Sequence, residues 1–192
     1  NHINPMALPE DVSDIQGIIA EKGEFMLGIC EQCMGEALNS RQKSIIDRCV
    51  RLLYQEVKEE CMRNRGKQEG EKTKTLWKQK TLHDYYDILV SQPEMEAKEL
   101  ALSLELFIGG SLNIFAHETN VDIDNRFLVY GIRDMGKELS AISMLVMMEN
   151  IGNRIMENAK RGRATWLIID EFHVLLDKEY SAKYLFSLWK KV

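Results

Sequence analysis

The chain has 192 residues, a net charge of -5 and a hydrophobic fraction of 45%. This length predicts one domain, or one domain plus a lobe, and the hydrophobic fraction excludes wholesale disorder because it can fill a buried core. The negative charge argues against a strongly basic surface for nucleic acid. The sequence contains neither an apolar run long enough to cross a bilayer nor a signal peptide, so we expect no integral membrane segment.

Helical spacing of apolar residues dominates positions 1–110. Ser13 with Gln16 has the capping-box pattern of a helix start, and a break near Gly23 is expected because glycine weakens a helix. Asn39 begins the next helix. Its apolar residues recur every three or four positions, which predicts a buried stripe formed by Ile46, Val50, Leu53, Val57 and Cys61.

Two shorter helices are predicted after a charged segment. Residues 63–80 are rich in charge and contain glycine, which is typical of a mobile, solvated loop. Thr81 with Asp84 begins the first short helix, Pro93 lies near the start of the second, and Gly109 ends it. The buried face of this second helix is expected to contain Ala97, Leu100, Ala101, Leu104 and Ile108.

After position 110 the pattern changes to alternating strands and helices. Residues 127–132 and 165–169 predict two buried strands. A long helix is expected between them, from about Gly136 to Lys160, and Ser181 begins another. This order is typical of an α/β unit with a parallel sheet that is covered on both faces.

We therefore predict an α/β, helix-rich fold in two parts, with a helical lobe over residues 1–110 and part of an α/β domain over residues 111–192. The chain begins without Met at Asn1 and ends at Val192 inside a predicted helix. Both ends are typical of cuts, so we expect an internal segment of a longer protein.

The acidic pair Asp170 and Glu171 directly follows the second predicted strand. In open α/β sheets, ligands bind at the carboxyl edge of the strands. Asp170 is suited there to hold a hydrated Mg²⁺ beside a nucleotide, and Glu171 is suited to orient and deprotonate the attacking water. The alternative is a strand that runs into an ordinary polar turn. The predicted α/β context favours the nucleotide site.

A complete nucleotide site of this kind also needs a phosphate-binding loop of the form G-x-x-x-x-G-K-[ST], and the sequence contains none. The two Gly-Lys pairs, at positions 66 and 136, are followed by Gln68 and Glu138 and not by the Ser or Thr that the loop requires. Since both ends of the chain are typical of cuts, we expect this loop before Asn1.

The segment TWLIIDEFHVLLDKEYSAKYLFSLWKKV resembles the acidic-motif region of the VirB/TraC-type ATPases of bacterial conjugation and type IV secretion. Four other stretches agree with this family in the same order. They are HINPM, RQKSIIDRCVRLLYQE, ELALSLELFIGGSLNIFAHETNVDIDNRFLVYGIRDMGKEL and SAISMLVMMENIGNRI. The resemblance therefore runs along nearly the whole chain.

This resemblance implies part of a RecA-like P-loop domain, with parallel strands and flanking helices, and an inserted all-α lobe. Asp170 would be the acid on the metal side of the Walker B motif, holding Mg²⁺ through water, and Glu171 the catalytic glutamate. The Walker A loop would precede Asn1. ATP and Mg²⁺ would act in the longer protein, and we expect neither to bind tightly to these 192 residues alone.

The motors of this family are cytoplasmic, dock on the secretion channel at the inner face of the cell membrane and commonly form hexamers. The resemblance thus implies other channel subunits and further copies of the chain as partners, with DNA or protein as cargo. Two alternatives stay open. One is a helical protein-interaction module with a non-catalytic α/β scaffold, and the other is a P-loop motor of the coupling-protein or DNA-translocase branch.

Other candidate residues have ordinary structural explanations. Cys30 and Cys33 have the C-x-x-C spacing of redox or zinc sites, but a structural zinc site needs four ligands, so buried, reduced thiols are favoured. His173 lies near the acidic pair and is a candidate for lining the nucleotide site, but a surface or packing histidine is favoured. Arg133 with Asp134 follows the first predicted strand, where a contact to a ligand or a neighbouring subunit and an ordinary ion pair stay equally open.

Overall fold

The computed structural model describes residues 2–9, 12–64, 78–122, 125–131, 136–170, 172, 182 and 185–186. The chain divides into two compact units, Asn1–Asp122 and Ile123–Val192. We refer to them as unit 1 and unit 2.

Helices make up most of unit 1. Its described residues form α1 (Ile15–Met34), α2 (Ser40–Leu53), α3 (Gln55–Asn64), α4 (Leu82–Val90) and α5 (Met95–Ile108), followed by a 3₁₀ turn at Asn113–Phe115. Helices α1, α2, α4 and α5 pack together as a bundle, and α3 packs on α1 and α2. The predicted buried face of α5 is confirmed, since Ala97, Leu100, Ala101, Leu104 and Ile108 are all buried.

Side-chain caps determine where two of these helices begin. The Asn39 side chain accepts hydrogen bonds from the backbone N–H groups of Arg41 and Gln42, and Gln42 Oε1 accepts one from the Asn39 backbone. Thr81 and Asp84 form the same reciprocal arrangement at the start of α4. Both starts were predicted, and both are confirmed. Each cap pairs backbone N–H groups that have no partner within the helix.

The predicted start and break of α1 are wrong. Asp14, rather than Ser13, caps this helix, and its carboxylate accepts a 3.1 Å hydrogen bond from the Gly17 backbone. The helix then continues through Gly23 without a break. Ile19, Phe25 and Met26 are buried around this glycine. Their packing outweighs the roughly 1 kcal/mol that a glycine costs inside a helix.

A buried tyrosine separates α2 from α3. The predicted stripe is therefore shared between two consecutive helices, with Ile46, Val50, Leu53 and Val57 buried and Cys61 half-buried. Tyr54 is fully buried, and its hydroxyl donates a 2.7 Å hydrogen bond to the Met6 carbonyl. This bond satisfies a hydroxyl that would otherwise be costly to bury.

The first residues of the chain are held against unit 1 by hydrogen bonds to distant positions. The Lys22 ammonium group donates a 2.7 Å hydrogen bond to the Pro5 carbonyl. The Asn4 side chain donates to the Lys80 carbonyl at 2.8 Å, and the Asn4 backbone donates to the Thr119 hydroxyl at 2.9 Å. The start of the chain therefore links α1 to the segments on either side of α4 and α5.

Unit 2 contains one long helix among its described residues, α6 (Lys137–Lys160), which confirms the helix predicted from about Gly136 to Lys160. Met144 and Met148 form the centre of its buried cluster, with Met147, Ile169 and Leu185 packed partly buried against them. The Tyr130 hydroxyl donates a hydrogen bond to Asn150 on the same helix. None of the helices in the described ranges has the length and apolar character needed to cross a membrane.

The predicted α/β fold, with parallel strands of a RecA-like domain, is wrong for the residues that the structure describes. These residues contain no strand, and segments 127–131 and 165–169 are irregular. The exposed fractions are 78% for Phe127, 79% for Val129, 89% for Trp166 and 88% for Ile168. Strands covered on both faces would bury these side chains. A continuous apolar run does not by itself create a strand, because pairing also needs a neighbouring backbone.

Two further predictions fall mainly on residues outside the described part of the chain. They are the mobile loop over 63–80, of which 65–77 are not described, and the helix that begins at Ser181. Within residues 111–125 the structure has the 3₁₀ turn at Asn113–Phe115 and irregular backbone over the other described positions.

Candidate functional site

Asp170 is the member of the predicted acidic pair that the structure describes. Its side chain is exposed, directly after the irregular segment 165–169. Helix α6 holds this segment at both ends. The Thr165 hydroxyl accepts a 2.9 Å hydrogen bond from the Asn158 side chain, and Ile169 packs against the methionine cluster of α6. Asp170 therefore directly follows a segment that packs on α6.

The other predicted site residues lie outside the described ranges. These are Glu171, the predicted catalytic base, together with His173, Arg133 and Asp134. The distance between the two carboxylates of the acidic pair thus has no structural description. The roles of Asp170 and Glu171 stay predictions.

In the described part of the chain, no three side chains of His, Cys, Asp or Glu come together as a metal site. Mg²⁺ commonly keeps several water ligands and binds proteins through one or two carboxylates plus substrate phosphates. A single exposed carboxylate is compatible with that mode, provided that the phosphates supply further oxygen ligands.

The C-x-x-C pair belongs to the core of unit 1. Cys30 is fully buried, Cys33 on the same helix is half-buried, and all four cysteines are reduced. Burial raises the pKa of the Cys30 thiol well above its ordinary value, and the nearby Cys33 raises it further. Burial also raises the pKa of Cys49 on α2 to about 11. Thiols that stay protonated are poor nucleophiles and poor metal ligands.

Tyr85 on α4 lies beside these buried thiols. Its side chain is fully buried, and burial raises the pKa of its hydroxyl well above 10.0, with further increases from Cys30 and Cys49. The hydroxyl lies near the Cys30 thiol, but its geometry does not meet that of a hydrogen bond. This cluster of Cys30, Cys49 and Tyr85 is neutral at physiological pH, which favours a packing role over a chemical one.

An open, mainly acidic groove of about 530 Å³ lies between α2, α3 and α4. Its charged lining consists of Glu56, Glu59, Lys80, Asp84 and Asp87. Lys80 forms an ion pair with Glu56 at 3.3 Å. Burial raises the pKa of Asp84, but its hydrogen bonds from Thr81 and the nearby lysines outweigh burial and lower the pKa overall. Asp84 already caps α4, so its placement has a structural reason.

Two ion pairs connect α2 to the start of α5. Arg48 donates a 2.7 Å hydrogen bond to Glu94, and Arg41 donates a 3.1 Å hydrogen bond to Glu96. The bond from Arg48 lowers the pKa of Glu94. Both pairs are partly exposed, so solvent screens them and each contributes little to stability.

One surface feature of unit 1 was missed at the sequence level. The predicted core face of α5 accounts for only part of its apolar residues, and Met95, Leu102 and Leu106 are exposed. Their spacing of seven and four positions is a helical period of its own. That spacing was the signal for a second apolar face on α5.

Comparison of the chain with protein-family models, with curated proteins and with solved structures gives no match. The family resemblance of the five sequence stretches therefore stays a hypothesis.

Proposed function

We propose that these residues contribute the acidic end of the ATP site in a motor protein of bacterial conjugation or type IV secretion. The observation that carries the proposal is the acidic pair Asp170-Glu171, which directly follows the apolar residues Trp166–Ile169 within a segment that resembles this family. The exposure of Asp170 is compatible with contact to a ligand. Because the chain contains no phosphate-binding loop, the proposal includes such a loop from outside these residues.

The two carboxylates have separate roles in this proposal. Asp170 would accept hydrogen bonds from water ligands of Mg²⁺, and Glu171 would accept a proton from the water that attacks the terminal phosphate as the bond to the ADP oxygen breaks. Mg²⁺, when bound with ATP, neutralises charge on the phosphate oxygens. A carboxylate that accepts the proton must remain free of direct metal coordination. The proposal therefore assigns the metal contact and the proton transfer to two different residues.

The partners follow from the same proposal. We propose that the motor assembles with other subunits of a type IV secretion channel and with further copies of itself, as a hexamer. It would act in the cytoplasm, peripherally at the inner face of the cell membrane, on DNA or protein cargo. The resemblance to the family supports these partners and this location.

ATP hydrolysis by a longer polypeptide that includes a phosphate-binding loop is the direct test. We expect Glu171→Gln to lower turnover by at least about 100-fold, the usual contribution of a general base, while ATP still binds. The control is Glu118→Gln, which removes an exposed carboxylate from unit 1 and is expected to leave turnover unchanged. Equal turnover in the two variants contradicts the proposal.

The isolated 192-residue chain provides a second readout. We expect it to show no ATP turnover, because it lacks the loop that holds the phosphates. Turnover by this chain that Glu171→Gln abolishes would show that the phosphates are held in some other way.

A second candidate function is a helical protein-interaction module. It is favoured by the packed helices of unit 1 and by the apolar residues that α5 exposes. In this case the longer polypeptide would neither bind ATP nor depend on Asp170. The binding of ATP to the longer polypeptide therefore separates the two functions.

A further inference from the structure

Helix α5 carries an exposed apolar stripe on the side opposite its buried face. The stripe consists of Met95, Leu102 and Leu106, which expose 67%, 72% and 43% of their surface. At 3.6 residues per turn these positions lie within roughly 40° of one another and extend over roughly 16 Å of the helix. Exposed faces of helices in soluble proteins are usually polar, so an apolar stripe of this kind indicates an interaction surface.

Two charged residues flank the stripe on the same side. Lys98 and Glu105 are both exposed, and neither forms an ion pair within the described part of the chain. Helical geometry places them roughly 60° and 80° from the centre of the stripe, one towards each end of the helix. A partner that matches this arrangement has its positive and negative charges in the reverse order along its own helix.

A second copy of α5 running in the opposite direction presents this reverse order. We propose that a second copy of this chain docks on the stripe as an antiparallel helix pair. With the twofold axis between Ala101 and Leu102, Leu102 meets the partner's Leu102, and Lys98 lies opposite the partner's Glu105. Twofold symmetry forms this charge pair twice. Met95 then lies within roughly 3 Å, along the helix axis, of the partner's Leu106.

The other side of the stripe is also compatible with this pairing. Glu99 and Ser103 flank the stripe there, and Ser103 is half-buried. In the antiparallel pair Glu99 lies opposite the partner's Ser103, so like charges do not oppose each other. Since the stripe is short, the dimer is weak and its population depends on concentration.

Sedimentation velocity of the 192-residue chain over a wide concentration range tests the surface. We expect the wild type to shift reversibly from monomer to dimer, and Leu102→Glu to weaken the association by at least about 10-fold. The matched control is Met62→Glu, which places the same charge on an exposed apolar residue of α3 and leaves the association unchanged. A wild type that stays monomeric, or equal effects of the two substitutions, overturns the proposal.

A charge exchange tests the antiparallel geometry. Lys98→Glu and Glu105→Lys each oppose like charges in their own dimers, so each variant alone is expected to dimerise less than the wild type. An equimolar mixture of the two variants restores both attractive pairs and is expected to recover dimerisation, as is the double variant K98E/E105K. Circular dichroism confirms that all variants are folded.

Failure of the mixture to recover dimerisation overturns the antiparallel pair. Association through other apolar residues, such as Trp166 or Ile168, cannot produce this recovery, because it does not involve the two exchanged charges. Neither experiment measures ATP turnover, so this inference and the proposed function fail or succeed separately.

Discussion

Several buried polar side chains of unit 1 have a hydrogen-bond partner or stay neutral. The Tyr54 hydroxyl has the Met6 carbonyl as its acceptor, and the Lys22 ammonium group has the Pro5 carbonyl. Cys49 instead avoids the cost of a buried charge by keeping its proton. The stability of unit 1 therefore depends on pH through groups that stay neutral when folded.

Alkaline pH is expected to destabilise the folded chain through Cys49. Its thiol has an ordinary pKa of 9.0, and burial raises the pKa to about 11 in the folded chain. The stability from this group is fully present below pH 9.0 and is lost between pH 9.0 and about 11, because only the unfolded thiol ionises in that window. The loss is about 1.4 kcal/mol per pH unit.

Urea unfolding under reducing conditions measures this effect. We expect the unfolding free energy of the wild type to fall more steeply above pH 9.0 than that of Cys49→Ala. Cys61→Ala serves as the control, because its thiol is only partly buried and burial raises its pKa less strongly. If the wild type and Cys49→Ala have the same pH dependence, the thiol does not stay protonated on folding.

The starts of the helices are determined by residues that lie close together in the sequence. The capping boxes of α2 and α4 involve residues three positions apart, so the sequence was sufficient to locate both starts. For α1 the prediction placed the cap at Ser13, one residue before the observed cap Asp14. Strand pairing depends on distant partners, which explains why the predicted sheet was wrong while α6 was correct.

The candidate site depended on the same incorrect element. Asp170 was expected at the edge of a sheet, but the described residues contain no strand. Its position directly after an apolar segment is a property of the sequence itself. The predicted geometry of the acidic pair depends on a sheet and on Glu171. The described residues contain no strand, and Glu171 lies outside them.

A left-handed glycine ends α1 and provides a test at the level of the helix. Gly35 has a φ of 70°, whereas Gly109 at the end of α5 has a φ of -109°. A Cβ at either position would meet no atom within 4 Å. The two glycines therefore differ in backbone conformation and not in the space around them.

Substitution of Gly35 by alanine is expected to lower the unfolding free energy by about 1–2 kcal/mol, because residues with a Cβ are strained in the left-handed region. Gly109→Ala is expected to be neutral or stabilising by up to about 1 kcal/mol, because it restricts the unfolded chain at no steric cost. Urea unfolding of both variants gives the comparison. Equal losses of stability contradict the left-handed cap.

At the scale of the whole molecule, the exposed apolar residues of unit 2 bear on solubility. Both units bury apolar side chains in their helices, but the irregular segments of unit 2 leave Phe127, Val129, Trp166 and Ile168 exposed. Neighbouring exposed apolar residues with β-branched and aromatic side chains promote association between molecules. Unit 2 is therefore expected to limit the solubility of the chain.

Replacing one of these residues by a charge is expected to improve solubility without loss of structure. We expect Ile168→Lys to raise the concentration at which light scattering detects aggregates, and to leave the circular dichroism spectrum unchanged. Ala164→Lys adds the same charge at a nearby exposed residue and keeps the apolar surface, so it is expected to help less. Equal improvement by both variants would assign the effect to net charge alone.

The hydrogen bonds of Asn4 have a consequence for the order in which the chain acquires its structure. They connect this residue to partners 76 and 115 positions later in the sequence. During translation Asn4 leaves the ribosome before both partners, and Thr119 emerges only after α4 and α5 have been synthesised. Loop closure over such distances is slow. The residues made first in unit 1 are thus among the last to reach their final positions.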